Sequence, residues 1–117
     1  MKAATESAIV RACLGWLKLH GILAWRTNNI PAFDVARQRF RRFHGLRGVS
    51  DIIGCIGRPG AFLDGRLLAV EVKKPGGKLS TAQGQFLDGV RERGGIALVV
   101  TSVRALEEGL RAEGIVA

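Results

Sequence analysis

Glu71 interrupts the otherwise apolar run Leu68 to Val72 and Lys73 ends it, two residues on, and two is the repeat that returns a β-strand to the same face. Leu68, Val70 and Val72 then share one side, and Ala69, Glu71 and Lys73 the other. Asp51 heads a second apolar stretch, Asp51 to Gly57. Glu6 precedes Ile9, Val10 and Cys13 at helical spacing and so faces the side that a helix here would bury. Neighbouring strands lie about 4.8 Å apart, so if the Asp51 and Glu71 strands pair, the two carboxylates can approach one cation. Hard oxygen donors without Cys or His suit Mg²⁺ or Mn²⁺ rather than zinc, and the carbonyl of Val72 can add a ligand. Lys73 is placed to orient or help deprotonate an attacking water, or to neutralise charge on a phosphorane-like transition state. The competing reading of each fragment is plain: a solvated strand face, a turn aspartate, an exposed helix start. The residue types alone leave both open.

Charge points to the substrate. Eighteen Lys and Arg oppose ten Asp and Glu, a formal net charge of +8, and the sequence pI is near 10.8. Such a pI is in the range of nucleic-acid-binding domains. Arg26, Arg37, Arg39, Arg41, Arg42 and Arg47 crowd a stretch opposed only by Asp34. Guanidiniums suit forked contacts with phosphate. Lys74 and Lys78 follow the Glu71–Lys73 pair closely.

The elements that must position these groups follow from periodicity and punctuation. Residues 4–19 read as an amphipathic helix with Ile9, Cys13, Trp16 and Leu17 on one stripe, stopped at Gly21. Residues 22–27 read as a short strand. Residues 28–48 lose all pattern, with Phe33, Phe40 and Phe43 among the arginines, and read as a loop or ribbon that a ligand would order. Strands follow at 51–57 and over "RLLAVEVKK", with a turn region around Pro59 and Gly60 between them. Ser80 is a good N-cap for a helix to about Arg93 that turns Phe86, Leu87 and Val90 inward. "IALVV" reads as a buried central strand, and Ser102 caps a last helix with Val103, Leu106 and Leu110 inward. The order is α-β-(basic loop)-β-β-α-β-α, an α/β fold with a small mixed sheet flanked by helices.

With 117 residues, 47% hydrophobic and 24% charged, the chain is expected to form a single domain over 1–117. No apolar run reaches the roughly 18 residues that a membrane span requires, and the N-terminus does not read as a signal peptide. No membrane and no small-molecule cofactor are expected, and the chain is expected to act in the cytoplasm. Cys13 and Cys55 are too far apart for a CxxC pair and are expected reduced and buried, while His20 and His44 are too sparse for a histidine metal site.

The series Gly48-Val49-Ser50-Asp51, Glu71-Val72-Lys73 and "GGKLSTAQ" ending at Gln83 resembles the VRR-NUC nucleases of the PD-(D/E)XK superfamily. The likeness extends to the early helical Glu6, "WRTNN", "RFRRF" and "GGIALVV", nearly the whole chain. It implies a restriction-endonuclease-like core in which Asp51 and Glu71 bind metal, Lys73 assists the water, Gln83 supports the site from the next helix, and Glu6 completes it. Ser50 stands where the superfamily motif has proline, a change the family tolerates. Stand-alone members look like virus- or phage-type enzymes cutting branched DNA, such as four-way (Holliday) junctions, in a host cytoplasm. A symmetric junction needs two active sites, hence an expected homodimer. The rivals are a flap, nicking or restriction-type nuclease on linear duplex, and a non-catalytic basic DNA-binding module.

Overall fold

A computed structural model describes residues 4–27, 46–57 and 65–116, together with the backbone of 33–34 and 39–40. Along the chain run α1 (Glu6–Leu19), β1 (Leu23–Arg26), β2 (Phe33–Asp34), β3 (Arg39–Phe40), β4 (Ile52–Ile56), β5 (Arg66–Val72), α2 (Thr81–Glu92), β6 (Ile96–Val100) and α3 (Val103–Ala112). Each helix starts where a hydroxyl satisfies an otherwise orphaned N–H. Thr5, Ser80 and Ser102 accept from Ala8, Gln83 and Ala105 respectively.

The main sheet has the order β1-β4-β5-β6. β1 and β5 flank β4 antiparallel, and β6 joins β5 parallel through α2, giving a mixed sheet. β5 alternates as its sequence demands. Leu68, Val70 and Val72 pack with Ile9, Val10, Cys13 and Leu17 of α1 and Leu106 and Leu110 of α3, whereas Ala69 packs on the opposite face with Leu87 and Val90 of α2. At about 25 cal/mol per Å² of apolar surface removed from water, these two interfaces dominate the stability of the fold.

Three expectations need correction. β6 is an edge strand among the described residues, not a central one; its apolar run reflects α2 and α3 packed beside it. Cys55 is exposed, since it lies on the α2 side of β4 where that helix does not reach; Cys13 is buried, and both are free. Trp16 lies beside the core rather than in it and stacks on His20, with ring centroids 3.8 Å apart. The basic segment, open between loop and ribbon in the sequence, contains a short antiparallel ribbon, β2 with β3, that pairs Asp34 with Arg39. The rest of that segment up to residue 45, and the turn at Pro59 and Gly60, lie outside the described residues.

Candidate active site

β4 and β5 pair Ile52 with Val70, so one step further Asp51 comes opposite Glu71. There the ladder changes character. The Val72 N–H donates to the Asp51 side-chain Oδ2 at 2.8 Å. Thr27 holds the backbone beside it: its hydroxyl donates to the Ser50 carbonyl at 2.7 Å, and its N–H donates to the Asp51 carbonyl at 2.9 Å. Asp51 is thereby fixed at the sheet end with one carboxylate oxygen bonded and the other directed elsewhere. A strand residue carries its N–H and C=O on the same edge, so the Val72 carbonyl also opens toward β4.

Glu71 is only 3% exposed, which removes the solvated-strand reading. Its Oε1 accepts from Gln83 Nε2 at 3.2 Å, while its Oε2 is buried with no donor. Gln83 has little choice of orientation. The Ser80 N–H donates to Gln83 Oε1 at 2.9 Å, and the Gln83 N–H donates to the Ser80 hydroxyl at 3.1 Å. This reciprocal capping box spends the amide oxygen on the helix and turns the NH₂ toward Glu71. Burial pushes the Glu71 carboxyl up to about 8, helped by the charge of Asp51 and a carboxyl–carboxyl hydrogen bond with it; Lys73 opposes the rise, and Glu6 adds to it. That hydrogen bond exists only while one proton is shared. With both acids ionised, two negative charges lie close together and the buried Oε2 has no donor.

Gly48 locks the aspartate segment against α2. Its φ is +79°, and a Cβ there would lie 2.2 Å from the Ala82 carbonyl oxygen and 2.7 Å from the Gln83 nitrogen. Only glycine permits that approach, which ties the Gly48–Asp51 stretch to the helix start carrying Gln83.

The structure thus gathers Asp51, Glu71, Val72, Lys73 and Gln83 at one end of β5, with Glu6 at the first turn of α1 near enough for its charge to reach Glu71. Arg26 sits beside Glu6, its Nη1 donating to the Ser7 hydroxyl at 3.1 Å. Arg47, Lys74 and Lys78 are exposed. Arg37, Arg41 and Arg42 lie outside the described residues, and only the backbone of Arg39 is described. Three contributors escaped the sequence reading: Thr27, Gly48 as a steric requirement, and the Ser80–Gln83 pairing. Only the last had a readable signal, the S-x-x-Q pattern of a capping box.

The VRR-NUC domain profile matches residues 4–104, which include every group in this cluster. The chain belongs to the VRR-NUC family. The family is one of nuclease domains. A solved structure titled "VRR_NUC domain protein" has the same fold, with a TM-score of 0.64 at 20% identity, covering 94% of this chain and 88% of that one. No curated protein matches the chain.

The donors fit a hard divalent cation. Two carboxylates lie close together, and one has a buried oxygen that lacks a donor and a pKa raised first by burial and then by the charge of the other. Among the described residues no three His, Cys, Asp or Glu side chains form a metal cage. A cation that keeps several waters and takes only one or two carboxylates, as Mg²⁺ does, has no need of one.

Proposed function

We propose that this VRR-NUC chain is a divalent-metal-dependent endonuclease that hydrolyses phosphodiester bonds in branched DNA, such as four-way junctions, acting as a homodimer in the cytoplasm of a phage-infected or bacterial cell. The observation that supports the nuclease chemistry is a buried Glu71 carboxyl with a donorless Oε2, close enough to Asp51 for that acid's charge to raise its pKa. Asp51, Glu71 and the Val72 carbonyl would hold Mg²⁺ or Mn²⁺, which supplies Lewis-acid activation of water and of the scissile phosphate.

The remaining work falls to the chain. Hydrolysis forms one P–O bond from water, breaks another to the leaving sugar oxygen, and moves a proton from the water to that oxygen or to solvent. Lys73 extends from the Glu71 face, where its ammonium can donate to the attacking water and offset the charge that develops on phosphorus. Gln83 holds Glu71 at Oε1, and the Val72 N–H holds Asp51 at Oδ2, so neither acid must reorganise during the reaction. Lys74, Lys78, Arg26 and Arg47, with Arg37, Arg39, Arg41 and Arg42, would neutralise phosphates on either side. The branched substrate and the homodimer rest on the family resemblance and on two-fold logic.

One gel tests this reading. Four-way junctions, flaps and plain duplex are incubated with Mg²⁺, with Mn²⁺ and with chelator, using wild type, Asp51→Ala and Glu71→Ala. The expected result is metal-dependent cutting of the branched substrates, lost in both variants while DNA binding survives. A wild type that binds every substrate and cuts none makes the chain a basic DNA-binding module instead.

A further inference from the structure

A groove of about 990 Å³ runs along the flank of α2, away from the carboxylates. Ala82, Phe86, Gly89 and Arg93 line one side at helical spacing, and Leu46, Arg47, Arg66 and Leu67 contribute the rest of the wall and floor. It combines two features that a duplex-tracking surface does not need together. Arginines stand at 47, 66 and 93, and no acid is among its described lining residues. Yet Leu46, Leu67 and Phe86 give it an apolar floor, with Leu46 66% and Leu67 42% exposed. A duplex would lay its phosphates against that hydrocarbon and gain little. An unpaired strand turns its bases onto the aromatic and aliphatic floor and leaves its phosphates to the guanidiniums.

The neighbouring acids do not close the groove. Arg66 meets Glu113 at 3.9 Å, and Arg93 meets Glu92 at 4.0 Å. Both are loose surface pairs that a phosphate displaces at little cost. The groove lies one residue along α2 from the candidate active site. Ala82 lines it, the next residue, Gln83, donates to Glu71, and Gly48 packs closely against both.

We infer that this groove binds the unpaired strand of a branched DNA substrate, with bases on Phe86 and Leu67 and phosphates on Arg47, Arg66 and Arg93. This deepens the nuclease reading and rests on it for the identity of the strand as substrate. It favours junctions and flaps with unpaired nucleotides over fully paired ones.

The test needs no cleavage. An oligo-dT carrying 5-iodouracil is bound to the full-length chain in chelator, irradiated, and the adduct mapped. Trypsin releases residues 79–91, "LSTAQGQFLDGVR", as one peptide that holds Phe86 and Gly89. The expected adduct lies in that peptide, in wild type and in Glu71→Gln alike. Phe86→Leu keeps the apolar volume but removes the ring face, and should weaken oligo-dT binding by about fivefold or more. Gly89→Leu fills the groove. A Cβ there meets nothing nearer than Arg93 Nη1 at 3.5 Å, so the variant should fold and lose single-strand binding while its Tm holds or rises.

Adducts confined to other peptides overturn the inference, as does undiminished affinity in folded Phe86→Leu and Gly89→Leu. Competition by polyglutamate as effective as that of oligo-dT also overturns it, in favour of an acidic protein segment. If the groove binds oligo-dT as described but the protein cuts nothing, the nuclease reading alone has failed.

Discussion

Glu71 is where the chemistry of the site can be read on a single residue. Its carboxyl is raised from an ordinary 4.5 to about 8 by burial first and by Asp51 second. The sign of the consequence is fixed. A group whose native pKa lies above its unfolded value binds more protons when folded, so stability falls as pH rises between the two values. Metal-free protein should therefore lose Tm from about pH 5 to about pH 8, and Glu71→Gln should flatten that slope and be the more stable protein at pH 8. Melts in chelator across that range check it; a wild type equally stable at both ends contradicts it. Asp51 carries a second, structural duty through its bond from the Val72 N–H. Asp51→Ala should cost about 1–3 kcal/mol by stranding that donor, whereas Asp51→Asn, which retains an acceptor oxygen, should cost much less and still lose cleavage. Urea titrations of the two variants separate the structural cost from the catalytic one.

At the scale of elements, the site is made by the meeting of a strand end and a helix start. Gly48 is the hinge of that meeting. Gly48→Ala should destabilise the fold by about 2–4 kcal/mol, because it forces a left-handed φ on alanine and drives a methyl into the α2 backbone. Far-UV circular dichroism melts should show that loss together with loss of cleavage; a variant of unchanged Tm would mean that the segment can retreat from the helix. The helices and β5 were legible in the sequence because burial imposes period and hydroxyls mark starts, as Ser80 and Ser102 do. The edge position of β6 was not, since an apolar run reports only that both faces are covered, and helices cover them as well as strands would. Cys55 failed for the complementary reason: no strand pattern reveals how far across a sheet a helix extends. Asp51, Glu71 and Lys73 were legible as charges out of place. Thr27 was not, because its hydrogen bonds bridge 23 and 24 residues of chain and leave no local trace.

The whole molecule carries a large positive charge, and two of its acids, Asp51 and Glu71, lie together where a cation would relieve them. Its net charge of +8 makes phosphate neutralisation the main source of DNA affinity. Removing one phosphate-binding cation should flatten the log–log dependence of affinity on salt by about 0.9. Lys74→Ala with Lys78→Ala should thus lower the slope by up to about 1.8 without changing which DNA structure is preferred, as anisotropy titrations over a salt series would reveal. An unchanged slope would place the strand elsewhere on the surface. No helix among the described residues is long and apolar enough to cross a membrane. Everything else in the proposal depends on a divalent ion shared by Asp51 and Glu71. The most direct measurement is an anomalous difference map at the manganese edge, from crystals grown with Mn²⁺ and an uncleavable DNA. A peak flanked by the Asp51 and Glu71 carboxylates, absent from Glu71→Gln crystals, is the expected result. DNA bound with manganese ordered elsewhere, and none between those two acids, would contradict it.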